Sequence, residues 1–88
     1  IMKNIDQLTS IIKKKLSNSI KIEKIFIIDE TFKHLNHKFH SNGKYHIIIE
    51  IYSSELKKKS KLNSSRLIYG LLDYEIKNFI HSLQLKIY

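Results

Sequence analysis

Five histidines are the residues of this chain whose type and spacing could do chemistry. His34, His37, His40 and His46 fall within thirteen residues, and His81 stands apart near the C-terminal end. Neutral imidazole is the commonest metal ligand and titrates near neutrality, so a histidine-rich stretch is a candidate ligand set. The His-x-x-His-x-x-His spacing matches neither a zinc finger nor the helical His-Glu-x-x-His of a metalloprotease. A solvated polar loop accounts for the same spacing, and a lone histidine such as His81 on an apolar strand is commonly a hydrogen-bonded core residue. A strand end, however, can hold a side chain rigidly and still leave it reachable.

Other chemistries find little support. There is no cysteine, which removes disulfides, thiolate sites and cysteine nucleophiles supplied by the chain itself. The only glycines are Gly43 and Gly70, so no glycine-rich phosphate loop exists. Asp29 and Glu30 are adjacent and on a strand would point to opposite faces, which rules out a matched acid/base pair. The serines have no nucleophile elbow. No catalytic constellation is visible, and the chain is not expected to be an enzyme.

The charge is strongly positive. Sixteen Lys+Arg against eight Asp+Glu give +8, with a pI of ≈ 9.7. Fifteen of the sixteen are Lys and only Arg66 is Arg. Lysine is a hydrated point charge and lacks the guanidinium fork that reads bases and clamps phosphates. Lys57, Lys58, Lys59 and Lys61, with Arg66 beyond them, form the candidate nucleic-acid contact. A flexible solvated bend explains the same run, and no aromatic pair is placed as a base-stacking platform.

Elements must position these groups. Eighty-eight residues predict one small domain, residues 1–88, burying roughly 60–65% of its unfolded surface. No apolar run approaches the roughly 18–20 residues of a membrane span, and no signal-peptide pattern opens the chain. A soluble, cytoplasmic chain is expected. Ile5, Leu8, Ile12 and Leu16 recur at helical spacing behind an Asn4 cap, with Lys13, Lys14 and Lys15 read as the helix's C-terminal end. Ile22 to Ile28 predicts a buried or nearly buried strand, and Tyr45 to Tyr52 a second whose Ile47, Ile49 and Ile51 share one face. A short helix follows Ser53. A long helix then begins at Asn63, Ser64 or Ser65 and carries the stripe Ile68, Leu71, Leu72, Ile76, Phe79 and Ile80, with Gly70 read as a point of close packing. His81 to Tyr88 alternates, placing His81 with Leu83 and Leu85. The order α-β-β-α-α-β predicts an α/β (α+β) fold: a mixed three-stranded sheet with helices packed on one face, its first strands antiparallel and the crossover pair parallel. The connection from about Thr31 to Lys44 is long for a hairpin, which marks it as functional.

Ile28-Asp29-Glu30-Thr31, then His34 and His37, then Tyr45-His46-Ile47 resemble the first half of the BolA family. Arg66-Leu67-Ile68-Tyr69 with Leu72 is similar to the family's helix. Ile80-His81-Ser82-Leu83 is similar to the His-Ala-Leu signature that opens its last strand. The resemblance covers about Ile5 to Tyr88. It implies a fold similar to KH-type domains, pairing with a monothiol glutaredoxin, and a [2Fe–2S] cluster shared with that partner and glutathione. The resemblance further implies a monomer alone and a heterodimer with the partner. Carried over, the metal ligands are His81 and the loop His34, with His37 as its neighbour and substitute, while His46 hydrogen-bonds nearby. Imidazole ligands reduce a cluster's negative charge and raise its potential, and they must be unprotonated to bind. Some bacterial members are DNA-binding transcriptional regulators, which is the alternative function. Here Ser64-Ser65-Arg66 replaces the family's Arg-His-Arg, which weakens that alternative.

Overall fold

Asn4 caps the first helix as the pattern predicts. Its Oδ1 accepts from the backbone N–H of Gln7 at 2.9 Å, which satisfies one donor of the open first turn. The structure, a computed structural model, describes residues 4–31 and 44–88. Helix α1 spans Ile5–Ser19 and buries Leu8, Ile12 and Leu16. It runs a turn beyond the lysine run, and its last turn holds no basic residue. Lys13, Lys14 and Lys15 therefore lie in the helix body, and their expected role at its C-terminal end does not hold.

Strand β1 covers Lys24–Asp29 and β2 covers Tyr45–Tyr52. They pair antiparallel from Lys24↔Tyr52 to Asp29↔Ile47. Ile47, Ile49 and Ile51 are buried beneath the helices, as period-two spacing requires. The expectation of a buried or nearly buried β1 needs correction. Its residues alternate between half-buried and exposed, and Phe26 is 50% exposed. Among the described residues the helices cover only one face of the sheet, so an unbroken apolar run ends up half exposed.

Helix α2, Ser54–Lys57, is capped by the Ser53 side chain. Helix α3, Lys61–Leu71, starts earlier than expected because the Ser60 hydroxyl accepts from Asn63 N–H at 3.0 Å. Ser64, an alternative cap by sequence, is instead buried in the helix and donates to the Leu56 carbonyl at 2.8 Å. The predicted long helix is two helices, with α4 at Asp73–Asn78. Leu72 leaves helical geometry at φ −102, ψ 15. Even so, Leu72 N–H reaches the Ile68 carbonyl at 3.0 Å and Ile76 N–H the Leu72 carbonyl at 2.9 Å. The apolar stripe thus continues across a kink. Gly70 is not a close contact, since an added Cβ would meet nothing within 4 Å.

Strand β3, Ile80–Ile87, claims Ile80 from the expected helix and lies parallel to β2. The sheet order is β1-β2-β3. The fold is the expected α+β class, a mixed three-stranded sheet with one face packed on helices. Leu8, Ile12, Leu16, Ile68 and Leu72 meet the β2 isoleucines in one core.

Candidate functional site

His46 and His81 meet at one end of the sheet. Tyr45 pairs with Ile80, but His46 pairs with Ser82, so one step along β2 spans two along β3. His81 is the extra residue of a β-bulge, a device that re-aims a side chain. His81 and Ser82 are consecutive and both exposed, which strict alternation forbids. The expected sharing of a face by His81, Leu83 and Leu85 is thereby corrected. The His81 ring lies 4.9 Å from the His46 ring, tilted by 47°. His81 is open to solvent, whereas His46 is buried at 7% exposure.

A polar clamp holds His46. Its Nδ1 lies 2.8 Å from Ser82 Oγ on the neighbouring strand. Its backbone N–H donates to Thr31 Oγ at 3.1 Å, and its carbonyl accepts from Glu30 N–H at 2.8 Å. Thr31 in turn donates to Asp29 Oδ1 through its hydroxyl and, at 2.9 Å, through its backbone N–H. Asp29 thus makes a side-chain turn that ends β1 and fixes Thr31 against β2. The chain leaves this clamp at Thr31 and returns at Lys44, beside the histidine pair. His34, His37 and His40 belong to that connection and lie outside the described residues. Reading the sequence for chemistry passed over Asp29, Thr31 and Ser82 as supports. The Asp-x-Thr spacing was the available signal.

Chemically, the site offers imidazole nitrogens, donors suited to iron, zinc or copper. Among the described residues no three ligand-type side chains converge. The pair sets an exposed imidazole, His81, beside a buried and hydrogen-bonded one, His46.

The basic candidates only partly converge. Lys57, Lys59 and Lys61 line a groove of ≈ 280 Å³ with Ser64 and Ile87. Lys58 and Arg66 are exposed but do not line it. On the open sheet face Tyr52 stacks on Tyr88 with centroids 4.8 Å apart, and Phe26 meets Tyr52 edge-on at 6.2 Å. Strand register thus brings together three rings that lie far apart in sequence.

Comparison with known proteins agrees with this architecture. A family model described as BolA-like protein matches residues 16–88. The UV-induced protein uvi31 of Schizosaccharomyces pombe is 33% identical over 76 residues, covering 82% of this chain and 74% of that protein. The BolA domain of SufE1 from Arabidopsis thaliana superposes with a TM-score of 0.74 at 24% identity, covering 98% of this chain and 93% of its own. BolA1 from the same plant gives a TM-score of 0.77 at 21% identity, covering 98% and 92%. At these identities the two structures speak for the fold.

Proposed function

This chain belongs to the BolA-like family, and on that premise we propose that it binds a monothiol glutaredoxin and helps ligate a [2Fe–2S] cluster shared with that partner and glutathione. The role is accessory or regulatory, in iron–sulfur cluster trafficking or iron regulation, and the reading assigns no catalytic step to the chain. The observation that carries it is the bulge that turns His81 out of the strand alternation. It leaves an exposed imidazole beside the two ends of the connection that bears His34 and His37. His81 is the strand ligand, and His34 or His37 the loop ligand. His46, held by Ser82 and the Thr31 clamp, supports His81 from behind without ligating. Bound here, the cluster supplies iron positions that accept neutral nitrogen donors.

Mixing the chain with cluster-loaded glutaredoxin should alter the visible absorption and circular dichroism. His81→Ala should abolish that change. If the variant leaves it intact, the assignment of His81 is wrong.

A second reading is DNA binding of the regulator type, favoured by the groove that gathers Lys57, Lys59 and Lys61 beside α2 and α3. It predicts salt-sensitive binding that retains sequence preference. Equal affinity for every sequence would reduce it to nonspecific charge.

A further inference from the structure

Between the N-terminal half of α1 and α4 lies an open cleft of ≈ 650 Å³, within the range of small-ligand sites, about 300–1,000 Å³. Glu75 lines it and is 2% exposed. One carboxylate oxygen, Oε2, accepts from Lys15 Nζ at 2.7 Å, while the other, Oε1, is buried without a hydrogen-bond partner. An ionised carboxylate has acceptor positions for about four donors, and a buried oxygen left without one is costly. Neither the fold nor the histidine site uses this oxygen.

The surrounding walls specify what could. Ile11, Tyr74 and Phe79 present apolar and aromatic surface, and the two rings meet at 6.0 Å and 61°. Asp6 adds a second carboxylate at the rim. The protein's own Lys15 shows how an ammonium is received here. Its Nζ sits 2.7 Å from the carboxylate and 5.8 Å from the Tyr74 ring centroid, an electrostatically favourable place for a cation. Asp6 and Glu75 against Lys15 leave a local charge of minus one on a chain whose net charge is +8.

We propose that this cleft binds a small organic monocation: a primary aliphatic ammonium with a short hydrocarbon body. The ammonium donates to Glu75 Oε1 after a small side-chain rotation, Asp6 balances its charge, and the body packs on Ile11, Tyr74 and Phe79. One local negative charge admits one positive charge, so a diamine, whose second ammonium would be carried along the apolar wall of Ile11, Tyr74 and Phe79, binds less well. The same chemistry is offered by a free amine and by a lysine side chain of another protein.

The test is an NMR titration of the full chain with n-pentylammonium, 1,5-pentanediammonium, pentanoate and Nα-acetyl-lysinamide. Saturable shifts at Ile11, Tyr74 and Phe79 are expected with n-pentylammonium, at least threefold weaker binding with the diamine, and none with pentanoate. Tighter binding of Nα-acetyl-lysinamide than of n-pentylammonium assigns the site to a protein lysine, and weaker binding to a free amine. Asp6→Asn, on the exposed first turn, should weaken n-pentylammonium at least threefold. Glu75→Gln should abolish its binding, and if that variant fails to fold, Tyr74→Ala takes its place with the same expected loss. Absence of saturable binding, equal response to pentanoate, or affinity unchanged by Asp6→Asn overturns the proposal.

Discussion

Ser82 decides how His46 presents its ring, because the 2.8 Å contact from Oγ to Nδ1 is the bond that orients the imidazole across the two strands. Ser82→Ala should keep the fold, cost about 0.5–1.5 kcal/mol, and shift the tautomer balance of His46 in the nitrogen chemical shifts of its ring. Unchanged shifts would mean that the Ser82 contact does not set the tautomer of the ring. Lys15 and Glu75 form the other decisive pair. The carboxylate is buried, with a side chain 3% exposed, whereas the lysine side chain is 41% exposed. Removing the lysine leaves the buried carboxylate without its donor, so Lys15→Met should cost about 1–3 kcal/mol in urea unfolding. Lys15→Met with Glu75→Leu should recover most of that loss, since no charge is then left to desolvate. At this scale the sequence discloses residue types and hides partners. Sixty residues separate Lys15 from Glu75, and no local pattern links them. His81 was legible as a candidate, but its direction was not, because the bulge depends on how β3 registers against β2.

Elements whose pattern is local were legible. The α1 stripe, the Asn4 cap and the alternation of β2 all follow from spacing within a dozen residues, and the structure keeps them. The kink at Leu72 was hidden because Ile68, Leu72 and Ile76 keep the helical period and the hydrogen bonds on both sides of it. The open face of β1 was hidden for another reason. Ile25, Phe26, Ile27 and Ile28 carry no alternation, and only the placement of the helices decides which side stays wet. Gly70 sits two residues before the kink with open space where a Cβ would be. Gly70→Ala should therefore stabilise the protein, by up to about 1 kcal/mol, through the restricted unfolded chain and the better helix former. Thermal unfolding checks this. A lower midpoint would show that the kink itself requires glycine.

At the scale of the whole molecule the charge cannot be neutralised internally. Eight acidic residues can pair with at most eight of the sixteen basic ones, so a net repulsion remains in the folded state. Raising ionic strength from about 10 to about 150 mM shortens the screening length from roughly 30 to roughly 8 Å. The thermal midpoint should therefore rise with salt, where a fold dependent on exposed ion pairs would lose stability. The same screening separates the two functional readings. If Lys57, Lys59 and Lys61 each neutralise one phosphate, the salt slope is about −2.7, and DNA affinity should fall roughly fortyfold between 50 and 200 mM salt. Coordination of iron by His81 and a loop histidine is set by nitrogen lone pairs and involves no counterion release. The visible circular dichroism change with cluster-loaded glutaredoxin should then persist across the same range. Should both signals collapse together, charge would be what joins this chain to its partner, and the imidazole ligands would lose their place as the anchor of the complex.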